Sequence, residues 1–141
     1  MRFFPHSKVL SFFISLAFIL SMCNMALGQP PRVAFLAAES APEEMGPHNL
    51  GGWESAKGLC DAVLLFAAEG GVFRDASGQE HGLGTFDAVW YHQGDSVALT
   101  ALHGGAHLSA LRAYVEGGGG VLLSGGALAV VDQLGLERDV R

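Results

Sequence analysis

Charged residues and cysteine are both scarce in this chain. Lysine, arginine, aspartate and glutamate make up 16% of its 141 residues, and cysteine occurs twice. Two cysteines exclude a small disulfide-stabilised scaffold, and an apolar content of 50% excludes a disordered segment. The eight lysines and arginines are scattered singly in a chain of net charge −6, so we expect no nucleic-acid partner. The composition is that of one small globular domain, and no motif in it predicts a cofactor.

The N-terminus has the layout of a signal peptide. Arg2 and Lys8 precede an apolar run over residues 9–20, which is short for a membrane-spanning helix of ~20 residues. Small residues then lead up to Gly28, after which we expect cleavage.

The predicted cleavage divides the chain in two. Residues 1–28 are expected to be removed, and residues 29–141 to form the mature domain, exported to the periplasm or outside the cell. No membrane span should remain after cleavage. The alternative is a protein that stays anchored in the membrane through residues 9–22.

Four segments predict β-strands. Residues 33–38, 86–91 and 121–124 are mainly apolar, and residues 72–75 are expected to form a short strand. Continuous apolar runs of this length are typical of strands that are buried on both faces of a parallel sheet.

Helical periodicity marks three further segments. They are residues 53–69, 107–116 and 128–134, where apolar side chains recur every three or four positions. Residues 39–52 hold prolines, glycines and acids, which predicts a loop.

Alternating strands and helices predict a three-layer α/β domain. We expect a mostly parallel sheet of about four strands with flanking helices on both faces, in a flavodoxin-like or amidotransferase-like arrangement. Four strands are few for such a sheet, and an unpaired apolar edge strand promotes aggregation. The sequence therefore predicts that residues 29–141 are incomplete at the C-terminus, with either a missing downstream domain or a partner strand.

Two segments carry a family resemblance. Residues 86–92 read FDAVWYH, and residues 111–125 read LRAYVEGGGGVLLSG. Both are similar to the class I glutamine amidotransferase-like superfamily, and most of all to its ThuA-like (trehalose utilisation) branch. The resemblance covers residues 32–136. It implies an amidotransferase-like fold and a role in bacterial carbohydrate metabolism, and the small number of strands implies a truncated member.

The nucleophile of that superfamily is missing from the chain. Its amidotransferases carry a cysteine in a G-x-C-x-G turn after a strand, where residues 122–126 here read LLSGG. The resemblance therefore brings no glutaminase activity with it. Ser124 is the candidate catalytic nucleophile at this position, although Leu122 stands where a nucleophile elbow has glycine.

Polar residues and glycines follow the third and fourth predicted strands and form the candidate ligand site. They are His92, Asp95, Ser124, Gly125 and Gly126. The carboxyl ends of parallel strands meet at one edge of a sheet, where ligands bind. We expect these side chains and nearby backbone N–H groups to hold a small polar or sugar ligand, the alternative being ordinary loop residues.

His103 and His107 are the candidate metal ligands. Their spacing of four could present two imidazoles to one metal ion on a helix. The glycines between them disfavour a helix, and His103 is not followed by the glutamate of the H-E-x-x-H motif. Cys60 lies among apolar residues and is expected to be an inert core thiol.

Three functional hypotheses follow. The missing cysteine favours an exported binding or accessory module without enzymatic activity, acting in carbohydrate metabolism. The first alternative is a hydrolase whose site is either Ser124 or a polar pair of His92 and Asp95. The second alternative is an inactive fragment of a truncated gene.

Overall fold

A computed structural model describes residues 28–94 and 105–136. These residues form six β-strands and two α-helices, connected by loops and short 3-10 helices. The strands are β1 (Arg32–Ala37), β2 (Asp61–Ala67), β3 (Phe73–Arg74), β4 (Glu80–His81), β5 (Ala88–Gln93) and β6 (Gly120–Gly125). The helices are α1 (Pro47–Leu59) and α2 (Gly105–Glu116).

The predicted signal peptide, and the alternative anchor within it, lie outside the described residues but for Gly28. Among the residues described, neither helix has the length and apolar character needed to cross a membrane.

The strands of the described residues form one sheet in the order β4-β3-β2-β1-β5-β6. The predicted α/β class is confirmed. The expected mostly parallel sheet of about four strands is wrong, because the sheet is mixed and has six strands. The pairs β1–β2, β1–β5 and β5–β6 are parallel, whereas β2–β3 and β3–β4 are antiparallel.

The antiparallel pair of β3 and β4 results from a turn whose polar sequence resembles a loop. The Asp75 carboxylate accepts hydrogen bonds from the backbone N–H groups of Ser77 and Gln79, and from the Ser77 hydroxyl. These bonds reverse the chain in the way that Asx turns do, so β4 folds back against β3.

Strand β1 lies at the centre of the sheet because its apolar residues cover both of its faces. The residues from Val33 to Ala37 are all buried. Phe35 lies opposite Leu64 of β2 and Trp90 of β5, so one strand joins the two halves of the sheet. This is the burial that a continuous apolar run predicts for a parallel sheet.

Helix α1 replaces the last six residues of the loop that was expected over residues 39–52. Pro47 occupies the first turn of the helix, where its fixed φ fits the helix and its missing N–H costs nothing. Asn49, Trp53 and Ala56 are the buried residues of α1, at spacings of four and three. The loop prediction was wrong for residues 47–52 because Pro47 begins the helix rather than interrupting it.

Strand β2 replaces the second half of the helix that was expected over residues 53–69. Cys60 has an extended backbone, with φ −150° and ψ 172°, and ends α1. Leu64 and Leu65 of β2 are both buried, on opposite faces of the strand. The helix prediction was wrong because apolar residues of two successive elements happened to match one helical period.

The last segment differs from prediction in a smaller way. Residues 128–134 form parts of two 3-10 helices, Gly126–Val130 and Asp132–Leu134, instead of one amphipathic α-helix. Of the predicted apolar stripe Leu128, Val131 and Leu134, only Leu134 is buried, and Leu128 is 57% exposed; Val130 packs into the core instead. Helix α2 agrees with the prediction for residues 107–116 and begins two residues earlier.

The two faces of the sheet carry separate apolar clusters. On one face, α1 packs through Trp53 and Ala56 against Phe35. On the other face, Leu111 of α2 packs with Leu36 and with the 3-10 helices. The layers are therefore helix, sheet and helix, which is the predicted three-layer arrangement.

Candidate functional site

The candidate site lies at the topological switch point of the sheet. After β1 the chain forms β2, β3 and β4 on one side of this strand. It then forms β5 and β6 on the other side, so the order of the strands reverses between β1 and β5. Ligands of open α/β sheets bind in the crevice outside the carboxyl ends of the strands at such a point. The position in this fold where such a crevice is expected, hereafter the crevice, is bordered by the residues that follow β1, by the first turn of α1 and by the ends of β5 and β6.

Asn49, in the first turn of α1, is hydrogen-bonded to the residues that follow β1 and β5. Its side-chain Nδ2 donates to both carboxylate oxygens of Glu39, which follows β1, at 2.9 and 3.1 Å. Its Oδ1 accepts a hydrogen bond of 2.6 Å from the backbone N–H of Gly94, which follows β5. Asn49 is only 2% exposed. A buried amide that is bonded on both sides in this way fixes the geometry of the crevice.

His92 and Ser124 lie next to each other at the carboxyl ends of β5 and β6. They are register partners in the parallel pair of β5 and β6, and their side chains lie on the face that α1 covers. His92 Nδ1 lies 2.8 Å from Ser124 Oγ, and both residues are half-buried. Trp90 Nε1 donates to the same Ser124 Oγ at 2.8 Å.

Three glycines make room at this edge. A Cβ atom on Gly52 of α1 would lie 2.7 Å from His92 Cδ2, and one on Gly94 would lie 2.8 Å from His92 Nε2. The imidazole therefore sits in a slot that only glycine can leave open. Gly125 has φ +65°, and a Cβ atom there would overlap the carbonyl oxygen of Gln93.

The structure brings together four of the five predicted ligand-site residues. His92 and Ser124 are hydrogen-bonded, Gly125 ends β6, and Gly126 begins the next 3-10 helix. Asp95, the fifth, lies outside the described residues.

Glu39 and Asn49 were missed by the sequence prediction. Both residues fall within the loop that the sequence predicts over residues 39–52. A local signal did exist, because Gly46 followed by Pro47 is a helix start, and it would have placed Asn49 in the first turn of α1.

The predicted metal site has no support from the part that the structure describes. His107 Nε2 donates to the carbonyl oxygens of Ala68 and Val72, at 2.7 and 3.1 Å, so this nitrogen is committed to the backbone. His103 lies outside the described residues. Within residues 28–94 and 105–136, no group of three or more metal-ligating side chains comes together.

Cys60 is held against its own helix. Its Sγ donates to the carbonyl oxygen of Ala56 at 3.0 Å. Burial, and to a lesser degree the nearby Asp61 carboxylate, raises the pKa of the Cys60 thiol above its usual range. A thiol that resists ionisation is a poor nucleophile, although Cys60 is half-buried at the end of α1 rather than in the core as expected.

A cavity of about 760 Å³ lies elsewhere, near the amino ends of β5 and β6. It is bordered by the β3–β4 hairpin and by the C-terminal end of α2, including Tyr114. Burial and the nearby Asp87 carboxylate raise the pKa of Tyr114. None of the residues that line this cavity takes part in the hydrogen bonds among Glu39, Asn49, Gly94, Trp90, His92 and Ser124.

Comparisons of the chain with family models, curated proteins and solved structures find no match.

Proposed function

We propose that the protein binds a small, neutral polar ligand at the crevice formed by the carboxyl ends of β1, β5 and β6. A sugar is the ligand class that the ThuA-like resemblance implies, and an exported binding or accessory module in carbohydrate metabolism is the corresponding role. The observation that carries the proposal is the pair of hydrogen-bonded clusters, Glu39–Asn49–Gly94 and Trp90–Ser124–His92, at one switch point.

The chemistry of the two clusters suits hydroxyl groups. The Glu39 carboxylate can accept further hydrogen bonds beyond those from Asn49, and Ser124 Oγ has an acceptor lone pair beyond the one that Trp90 Nε1 occupies. The hydroxyl groups of a sugar can donate hydrogen bonds to both of these acceptors.

Charge narrows the ligand class. Glu39 is the formally charged member of the two clusters, and its charge is negative. A phosphate or carboxylate ligand would be repelled by this carboxylate, whereas a neutral polyol would not.

The test is an equilibrium binding measurement by calorimetry. The full chain is titrated with a panel of neutral mono- and disaccharides, and then the Ser124→Ala variant is titrated with the ligand that binds best. Loss of one hydrogen bond of about 1 kcal/mol predicts a dissociation constant about fivefold higher.

Ser109→Ala is the matched control. Ser109 is an exposed serine of α2 whose hydroxyl donates to the carbonyl oxygen of Gly105. Its substitution should leave the affinity unchanged. The proposal is contradicted if no member of the panel binds, or if Ser124→Ala and Ser109→Ala bind equally well.

A further inference from the structure

The hydrogen bonds around His92 determine which of its nitrogens carries the proton. His92 Nε2 lies 3.2 Å from the backbone carbonyl oxygen of His48. A carbonyl oxygen can only accept, so Nε2 must donate, and in the neutral imidazole Nδ1 is then an acceptor. The Ser124 hydroxyl, 2.8 Å from Nδ1, therefore donates its hydrogen to His92.

Trp90 fixes the remaining orientation of the serine. An indole N–H can only donate, so Trp90 Nε1 occupies one lone pair of Ser124 Oγ at 2.8 Å. The hydroxyl hydrogen is then directed to His92, and the second lone pair of Oγ is left for an incoming electrophile. Nucleophile, base and a third group that orients the base are the three groups of a serine triad.

The slot around the imidazole makes this arrangement rigid. Gly52 and Gly94 lie against the His92 ring so closely that a Cβ atom on either would contact it at 2.7 to 2.8 Å. A base held in one orientation needs little reorganisation before it removes a proton.

We propose that Ser124 and His92 form a nucleophile and general-base pair that hydrolyses acyl esters of the small polar ligand bound at this crevice. This inference rests on the proposed function, because it takes the polar part of the ester to be the ligand. Ser124 Oγ forms a bond to the acyl carbon as its proton moves to His92 Nδ1. The ester C–O bond breaks, and the departing alcohol takes that proton from His92. Water then attacks the acyl-serine, gives one proton to His92, and releases the carboxylic acid as Ser124 regains its proton.

The orienting group predicts a slow enzyme. A backbone carbonyl is neutral and stabilises the imidazolium less than the buried carboxylate of a complete triad does. We therefore expect covalent labelling of Ser124 to be easier to detect than turnover.

The test uses the full chain and an alkyl fluorophosphonate as the probe, with intact mass and peptide mapping as readouts. Attack by Ser124 Oγ forms a P–O bond and releases fluoride, so the adduct stays on the nucleophile. The expected result is one adduct, mapped to Ser124, absent in Ser124→Ala and unchanged in Ser109→Ala. His92→Gln should slow labelling at least about 100-fold, which is the lower range of general-base contributions.

Two results overturn the inference. One is an unmodified Ser124 after prolonged exposure of the unaltered chain to the probe, a result that needs no variant to fold. The other is labelling whose rate does not change in a folded His92→Gln variant.

The calorimetric titration separates this inference from the proposed function. A chain that binds a sugar but is never labelled at Ser124 retains the proposed function and contradicts the catalytic pair. A chain that is labelled but binds no sugar retains the pair and contradicts the ligand class, and a chain that does neither contradicts both.

Discussion

Asn49 and Gly94, 45 residues apart in sequence, are joined by a hydrogen bond of 2.6 Å from the Gly94 N–H to the Asn49 Oδ1. The same amide holds the Glu39 carboxylate through Nδ2. One buried side chain thus links the loop after β1, the first turn of α1 and the end of β5. The shape of the crevice at the switch point depends on this link.

Replacing Asn49 should destabilise the fold and loosen the crevice together. Asn49→Ala leaves the Glu39 carboxylate and the Gly94 N–H without this partner, and the expected loss is about 1–3 kcal/mol of unfolding free energy. Urea unfolding followed by tryptophan fluorescence measures it. Gln133→Ala, at an exposed amide in the last 3-10 helix, is the control and should change stability by less than about 0.5 kcal/mol. Equal effects of the two substitutions would show that Asn49 is not a structural link.

Two neighbouring glycines of α1 allow a matched comparison. A Cβ atom on Gly51 meets nothing within 4 Å, whereas one on Gly52 lies 2.7 Å from His92 Cδ2. Gly51→Ala should raise the unfolding free energy by about 0.5–1 kcal/mol through helix propensity alone. Gly52→Ala should lack this gain and should also weaken ligand binding, because it pushes the His92 ring away from Ser124. Calorimetry and urea unfolding of both variants test this, and an equal gain in both would contradict the slot around His92.

His107 should act as a backbone clamp rather than as a metal ligand. Its Nε2–H bonds to two carbonyl oxygens in the segment that follows β2, and its ring packs against Phe73 with centroids 5.4 Å apart. His107→Phe keeps the aromatic packing but loses the donor, so we expect a loss of about 1–2 kcal/mol. His107→Gln retains a donor and should lose less. Urea unfolding ranks the three proteins, and equal stability of the Phe variant and the parent would contradict the clamp.

The Asp75 turn should make stability depend on acid pH. Hydrogen bonds from the Ser77 hydroxyl, and next from His81, hold the pKa of the Asp75 carboxyl well below its ordinary value of 3.8. The folded state thus favours the ionised carboxylate. The stabilisation is complete above pH 3.8 and is lost as the pH falls below that value towards the lowered pKa.

Substitutions at the turn test this sign. The unfolding free energy is measured in urea at a series of pH values below 5. Asp75→Asn should flatten the acid dependence most strongly, and Ser77→Ala should reduce it in part, because Ser77 supplies the largest single contribution to the shift. An acid dependence that is unchanged in both variants would mean that other carboxyl groups cause it.

The sequence predicts most of the sheet but only half of the candidate site. Strands β1, β5 and β6 are recognisable because each is a mainly apolar run. Because β5 and β6 are parallel neighbours, their carboxyl ends lie side by side. His92 and Ser124 were therefore placed on one rim correctly. Their direct hydrogen bond was not predicted, because it depends on the register of two strands that lie 32 residues apart.

The missed half of the site depends on contacts that no local pattern carries. Asn49 becomes buried because its hydrogen-bond partners are Glu39, ten residues earlier, and Gly94.

The wrongly predicted boundary between α1 and β2 has a similar origin. Trp53, Ala56 and Leu64 match one helical period, and only the extended conformation at Cys60 separates them. Tertiary packing, rather than periodicity, decides where such a helix ends.

The most direct test of the account is to map where a ligand binds. Amide chemical shifts of the full chain are recorded in an NMR titration with the neutral sugar that binds best by calorimetry. The account predicts that the largest shifts fall on Gly94, Ser124 and Gly125, at the carboxyl ends of β5 and β6. Shifts confined to the cavity around Tyr114 and Gly118, or no shifts with any member of the panel, would contradict it.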